Sequence, residues 1–443
     1  MRVNRSTLAI GIVSALSLPL TVHATNGYLS DGYGTKSKGM AGAGSALPQD
    51  AMAAASNVAG MVWLGERMDV GFSLFAPSRE YTQNESINLM KSGPAMPFGS
   101  NPNFTGTVES ENDLFLIPHF AYNHPLDDLS AVGVAIYGNG GMNTSYNAQD
   151  TTRNMGTYGA GTTGVNLSQL AVNLNYSRKL NSNFSVGAGL ILAYQQFKAE
   201  GFTNFGMLVA DGNPDNLSNR GTDSAFGWGV QLGALWQVND QLSLGVAYQS
   251  QVNFERFDRY SDLFAEHGDL NAPAFVNLGL AFKATPTLTF AFDVQHIWYS
   301  DVKALGNNMT SNIELCMQGQ TAACLGGSNG VGFGWDDMTV FKFGAQWEVQ
   351  PDWTLRAGYS YGEQPIPSEG VLFNVVAPGL IEQHFTLGLT KVLNKRSEIN
   401  VAAMYAPQKD LDCGCTLPFS GGPNSINIAM SQWELELSFG LKF

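Results

Sequence analysis

The last eleven residues, Trp433 to Phe443, alternate without interruption. Trp433, Leu435, Leu437, Phe439, Leu441 and Phe443 fall on one face, and Glu434, Glu436, Ser438, Gly440 and Lys442 fall on the other. Successive side chains of a strand point to opposite faces, so the segment predicts a β-strand with one apolar and one polar side. A tilted strand of about 9–11 residues crosses a bilayer, whereas strands of soluble proteins mostly run to about 5–6. Slipping the register by one residue would place Glu434 and Glu436 in the apolar layer, so the register is strongly specified.

The same reading along the chain predicts strands near 67–81, 114–124, 130–138, 164–180, 184–202, 223–238, 242–257, 274–284, 287–300, 338–349, 353–366, 380–393, 397–408 and 425–443. Six connections are short and turn-like: 124–129, 181–183, 239–241, 285–286, 350–352 and 394–396. They alternate strictly with seven long ones. That alternation is the pattern of outer-membrane barrels, with short turns on one rim and long loops on the other. The amino terminus agrees. Arg2 and Arg5 precede a mostly apolar run from Leu8 to Leu20, and Val22-His23-Ala24 offers small residues for cleavage. Residues 1–24 therefore read as a signal peptide. No other stretch is long and apolar enough for a membrane helix, so membrane-length strands must close on themselves to satisfy every backbone group in lipid. The fold class is all-β: a 14-stranded antiparallel transmembrane β-barrel over residues 67–443.

Residues 25–66 are rich in Gly, Ala and Met, and Pro48 to Ala55 predicts a short helix with Asp50 near its start. A barrel of this size is wider than the eight-stranded barrels that side chains fill, so this stretch is expected inside the lumen as a plug. Composition narrows the function. The chain has 50 Gly, only 14% charged residues and a net charge of −14, which suits a barrel with polar loops and argues against nucleic acid as a partner. No catalytic group is expected. His119, His124, His267, His296 and His384 are scattered, and no nucleophile elbow, zinc-binding pair or cofactor motif stands out. All four cysteines fall in predicted outer loops, Cys316 and Cys324 in the fifth, Cys413 and Cys415 in the seventh. Export permits disulfides. Pairing of Cys316 with Cys324 is favoured, because Cys413 with Cys415 closes a strained ring; pairing between the two loops is the alternative.

Gly39-Met40-Ala41-Gly42-Ala43-Gly44, then Gln49-Asp50-Ala51, then Asn57-Val58-Ala59-Gly60-Met61 resembles the hatch of the FadL/TodX family of outer-membrane transporters for hydrophobic compounds. The likeness continues through Pro125-Leu126-Asp127-Asp128, Tyr137-Gly138-Asn139-Gly140-Gly141, Trp298-Tyr299-Ser300-Asp301, Trp353 to Gly358 and Gln364-Pro365-Ile366-Pro367. The resemblance implies a monomeric barrel in a Gram-negative outer membrane, amid lipid and lipopolysaccharide, with an amino-terminal hatch and passive uptake of greasy molecules. The terminal Phe443 resembles the ending that such barrels present to their assembly machinery. One departure concerns the hatch itself, where the family's Asn-Pro-Ala is Asn57-Val58-Ala59 here; losing Pro frees a fixed φ and restores a backbone donor.

The resemblance also directs attention to transport residues. An inward kink of the third strand, opening the wall towards lipid, is expected at Gly138, Asn139, Gly140 and Gly141, where glycines favour bulges. A capture groove is expected from the greasy loop residues Phe202, Phe205 and Leu208 together with Leu263 and Phe264. The strand from Phe184 to Phe202 carries no charge on either face before Lys198 and Glu200, and strand 223–238 is apolar and aromatic on both faces. A greasy interior is therefore expected. A fatty-acid carboxylate needs a cation, and Lys198, Lys342 and Arg356 are the candidates on predicted strands. Fatty-acid members of the family tend to read Gly-Phe-Lys-Asp where this chain reads Gly334-Trp335-Asp336-Asp337, which shifts weight towards aromatic or aliphatic hydrocarbons. Long-chain fatty acids remain the first reading, hydrocarbons the second, and an outer-membrane hydrolase or general porin the outside alternative.

Overall fold

The computed structural model describes residues 26–83, 106–151, 156–413 and 426–443. The expected signal peptide, Cys415, and parts of the first, second and seventh long loops lie outside the described residues. Fourteen long antiparallel strands form the wall: β1 Arg67–Gln83, β2 Phe115–Pro125, β3 Ser130–Gly140, β4 Gly164–Lys179, β5 Phe184–Glu200, β6 Asp223–Gln237, β7 Leu242–Gln249, β8 Phe275–Lys283, β9 Leu288–Ile297, β10 Met338–Gln350, β11 Trp353–Gly362, β12 Gln383–Asn394, β13 Ser397–Asp412 and β14 Ile426–Lys442. Each pairs with its chain neighbours, and β14 closes on β1 from Arg67↔Lys442 to Gln83↔Ile426. Two short strands, Gly106–Glu109 against β1 and Asn253–Phe254 against β6, extend the wall at the loop rim.

All fourteen expected strands are present, with boundary differences that have local causes. The strand expected over 242–257 stops at Gln249, where Ser250 Oγ donates to Gln251 O and Val252 turns away to pair with Ala272. The one expected over 353–366 stops at Gly362, before Pro365 and Pro367, which lack the N–H a ladder needs. The thirteenth runs on to Asp412.

The terminal strand has the register its alternation demanded. Trp433, Leu435, Leu437 and Phe439 face outward and are exposed, whereas Glu434 and Glu436 are only 6% and 2% exposed. Buried carboxylates require partners, and residues 26–66 supply them. This segment is built of a short helix, Thr35–Lys38, and two 3₁₀ helices, Ala51–Ala55 and Val58–Trp63. Asp50 caps the first 3₁₀ helix by accepting from Met52 N at 3.0 Å, which matches the expected helix start. Lys38 Nζ lies between Glu434 and Glu436, 3.0 Å from the latter, and Thr35 Oγ1 donates to Glu436 at 2.8 Å. Lys36 meets Glu398 of β13 at 2.5 Å, and Arg67 of β1 bridges Asp69 and Glu398 at 2.6 and 2.9 Å. Burial works against the Lys38 ammonium, but Glu434 and Glu436 outweigh it and hold it above the usual lysine range. Main-chain amides answer the other wall acids: Ala51 N donates to Asp69, and Gly44 N and Ser45 N donate to Asp293.

Close approach of this segment to the wall depends on glycine. Inward-facing glycines lie opposite one another on neighbouring strands: Gly187 and Gly233, Gly245 and Gly279, Gly344 and Gly358. A Cβ at Gly358 would sit 2.3 Å from the Met40 carbonyl carbon, one at Gly245 2.3 Å from Ser45 O, and one at Gly233 2.2 Å from Asn57 Oδ1. Such contacts leave no room for a methyl group.

Gly358→Val is expected to unseat the segment while leaving the barrel closed. Limited trypsin digestion of the folded protein would then cut at Lys36 or Lys38, sites that the wild type protects. Lys38→Met leaves Glu434 and Glu436 side by side with no cation between them. A loss of about 3–5 kcal/mol is expected, read as a lower unfolding midpoint. Lys198→Met, which removes only the half-exposed pair with Glu200, should cost about 0–1 kcal/mol.

Candidate functional site

Along each strand the inward face changes character from the short-turn rim to the loop rim. On β1 it reads Arg67, Asp69, Gly71, Ser73 and then Phe75, Pro77, Arg79, Tyr81; on β10, running the other way, Met338 and Val340 precede Lys342 and Gly344. The expectation of a greasy interior is therefore corrected. The half towards the short turns is polar and filled by residues 26–66. The half towards the loops is apolar, lined by side chains such as Phe75, Ile117, Tyr137, Ile297, Met404 and Ile428. The aromatics of 223–238 do not line the bore at all: Phe226 and Trp228 face outward and are exposed, and the inward face carries Gly227, Gly229, Gln231 and Gly233. A strand that must let the segment approach cannot also carry inward rings.

Over the apolar half the long loops interlock. Phe202, Phe205, Leu208 and Phe264 come together as expected, but they are buried, with Phe205 only 1% exposed, and Leu263 is half-buried. They are thus a packed cap in place of an exposed cluster, because loops from five strands close on them. Phe205 stacks edge-on with Tyr158 and Phe373 at 5.1 Å each, and Phe197 meets Tyr260 and Phe264 at 4.9 and 4.7 Å. Leu325 N donates to Leu208 O, and Ala210 N to Leu325 O. The Cys316–Cys324 disulfide secures the loop that carries Leu325, confirming the favoured pairing; Cys413 is also disulfide-bonded. Phe202, Phe264, Leu325, Phe333 and Phe373 line a cleft of about 390 Å³, open solvent included.

The wall itself is interrupted beneath this cap. β2 and β3 pair only from Phe120↔Ile136 to Pro125↔Ala131. Beyond that point β2 still pairs with β1 as far as Phe115↔Phe75, and β3 with β4 as far as Gly140↔Gln169, through a bulge between Gly138 and Gly140. The edges 115–119 and 137–140 therefore face each other without a ladder. The tip of β3 turns to the amino-terminal segment instead. Leu29 bridges to Gly140, Gly141 N donates to Tyr28 O at 3.1 Å, and a Cβ at Gly140 would lie 2.5 Å from that oxygen. Asn139 is buried and donates to Gln169 Oε1 at 3.1 Å. A cavity of about 250 Å³, open solvent included, borders this slot and is lined by Tyr33, Ile117, Pro118, His119, Tyr137 and Gly138 among others.

Asn57 caps the second 3₁₀ helix, accepting from Ala59 N at 3.1 Å and donating to Ser45 O and Ala234 O at 2.8 and 3.1 Å. Ala59 O accepts from Ser185 Oγ at 2.7 Å, and a Cβ at Gly60 would strike the Pro48 ring. Val58 holds the first helical position, where the backbone donor has no intrahelical partner and Pro is well tolerated. The departure from Asn-Pro-Ala therefore leaves the local fold intact.

None of the three candidate cations is free for a ligand. Lys198 lies on the outer face at the loop rim and pairs with Glu200 at 2.7 Å. Lys342 donates to Asp31 O at 2.5 Å and lies 3.9 Å from the Asp31 carboxylate. Arg356 donates to Gln49 Oε1, Gln346 Oε1 and Thr390 Oγ1 at 2.8, 2.9 and 2.7 Å. The aromatic trio Tyr28, Tyr299 and Trp335, with ring centroids 5.1–6.3 Å apart, was passed over in the sequence. Its signal lay in Trp335 itself, the bulky residue between two acidic neighbours and Gly334. No cluster suited to holding a metal ion occurs among the described residues.

Residues 21–414 match the family described as outer membrane protein transport protein (OMPP1/FadL/TodX). The long-chain fatty acid transport protein of Escherichia coli is 24% identical over 321 residues, 65% of this chain and 69% of that protein. Outer membrane protein P1 of Haemophilus influenzae is 21% identical over 348 residues, 64% of this chain and 73% of that protein. Among solved structures, a Pseudomonas aeruginosa FadL homologue superposes with a TM-score of 0.69 at 16% identity, over 94% of this chain and 100% of that one. The P. putida toluene transporter TodX does so with a TM-score of 0.65 at 18% identity, over 93% and 99%. A closed fourteen-stranded wall with membrane-length strands and a match over nearly the whole chain place this protein in the FadL/TodX family of transport proteins of the Gram-negative outer membrane.

Proposed function

We propose that this protein takes up long-chain fatty acids or similar hydrophobic molecules passively, delivering them sideways into the membrane through the slot between β2 and β3. The observation that carries this reading is the slot itself: two neighbouring strands whose ladder stops at Phe120↔Ile136, beside the apolar half of the bore. Cargo captured under the loop cap, at Phe202, Phe264 and their neighbours, travels over apolar side chains and leaves through the wall without crossing water. Residues 26–66 act as the hatch, since their ion pairs fill the polar half and bar a straight water-filled route. The chain works as a monomer, needs no cofactor, and reaches the lipopolysaccharide-bearing membrane by way of its signal peptide and the barrel assembly machinery. Hydrocarbon cargo is the second reading, favoured by Trp335-Asp336-Asp337, which offers no cation, and by the engagement of Lys342 and Arg356 with the hatch.

Deleting the gene should slow uptake of oleate, with smaller or no effect on a long alkane or toluene; a strain that takes up all three at the parental rate would count against transport. Gly138→Leu fills the slot, because a Cβ at Gly138 already lies 3.1 Å from Ile117 Cγ2. Uptake should fall several-fold while the barrel folds normally, and undiminished uptake in this variant would remove the side exit.

A further inference from the structure

Most buried cations of the bore are already engaged: Lys36, Lys38, Arg67 and Lys342 have carboxylates, and Arg356 has amide and hydroxyl oxygens. Arg79 differs. It lies on the inward face of β1 in the apolar half and is 4% exposed. Its Nη2 donates to Asn112 O, but its Nε has no partner, and among the described residues no carboxylate lies within 4.0 Å. The Phe115 ring stands 5.6 Å from the guanidinium carbon. A guanidinium has five donors in a fork that matches a carboxylate, and leaving it buried without an anion is costly.

Arg79 lines a small cavity together with Trp335, Met142, Met430, Asn143 and Gly27. One cation beside one amide, Asn143, among thioether and aromatic walls is the chemistry for the head of an amphiphile with one negative charge. The position is also apt. Gly27 precedes Tyr28, whose carbonyl receives Gly141 N at the slot, so a head group held here leaves its chain beside the exit.

Resting on the uptake reading above, we propose that Arg79 is the carboxylate-binding residue of this bore, holding the head of a fatty acid while its tail lies against Trp335, Met142 and Met430. It is a specificity-determining residue that separates acids from hydrocarbons and alcohols of the same length.

The test uses the full chain in amphipol with dodecanoate and dodecanol, each brominated near the head so that bound ligand quenches Trp335; the quench lost in Trp335→Phe defines the site. The wild type is expected to bind the acid roughly tenfold more tightly than the alcohol, as one charge-assisted hydrogen-bond pair supplies. Arg79→Met should abolish that preference, the acid losing affinity relative to the alcohol, and Arg79→Lys should keep part of it. Equal binding of acid and alcohol by the wild type overturns the assignment while leaving the apolar path standing, as does an acid preference that survives in Arg79→Met. Should Arg79→Met fail to fold, the wild-type comparison and Arg79→Lys decide. Binding of neither ligand sinks both this assignment and the uptake reading.

Discussion

A bore fourteen strands wide has to be filled, and every charge that faces into it has to be answered. The wall brings Asp69, Asp293, Glu398, Glu434 and Glu436 inward along the half nearest the short turns. Residues 26–66 take their shape from that demand. They have no regular core of their own, only one short helix and two 3₁₀ turns, yet Lys36, Lys38 and the amides of Gly44, Ser45 and Ala51 each meet a wall carboxylate. Glycines on the facing strands let the backbone come near enough to do so. The charges make the segment specific, because a shift along the bore would strand a carboxylate and an ammonium at once.

Among the described residues the opposite half brings no such wall acids inward, and its side chains are mostly apolar or aromatic, with Arg79 and the amides of Asn139, Gln169 and Gln195 as exceptions. Water is disfavoured there and an oily molecule is favoured. Walls compatible with an oily molecule thus reach as far as Tyr28, where the packed, ion-paired residues 26–66 begin. The place where the ladder between β2 and β3 lapses lies at that same level, with Gly140 pulled inward to Leu29. Residues 26–66 and the lapse are linked through backbone hydrogen bonds, Gly141 N to Tyr28 O among them.

Much of this was legible in the sequence. The alternation of Trp433 to Phe443 gave the register of the closing strand, and glycine at 138, 140 and 141 marked the bulge. What alternation conveys is which residues share a face; it does not say what each face meets. Glu434 and Glu436 were recognisable as barred from lipid, but their partners Lys38 and Thr35 are some four hundred residues away in the chain. The absence of charge on either face of 184–202 suggested an oily bore, but it did not show that inward Gly187 leaves room for the backbone of Val58 and Ala59. Arg79 went unnoticed for a related reason: alternation alone does not say which face of β1 turns inward, and only the fold places Arg79 on the inner one, with no carboxylate within 4.0 Å among the described residues.

The seam between β1 and β14 has a consequence for how the molecule is made. Lys36 and Lys38 hold to the last two strands synthesised, and Ala51 holds to the first strand. The seam therefore brackets the very residues that occupy the interior. Closing the cylinder and seating its contents therefore draw on the same side chains: Glu434 and Glu436 on one strand of the seam, Asp69 on the other.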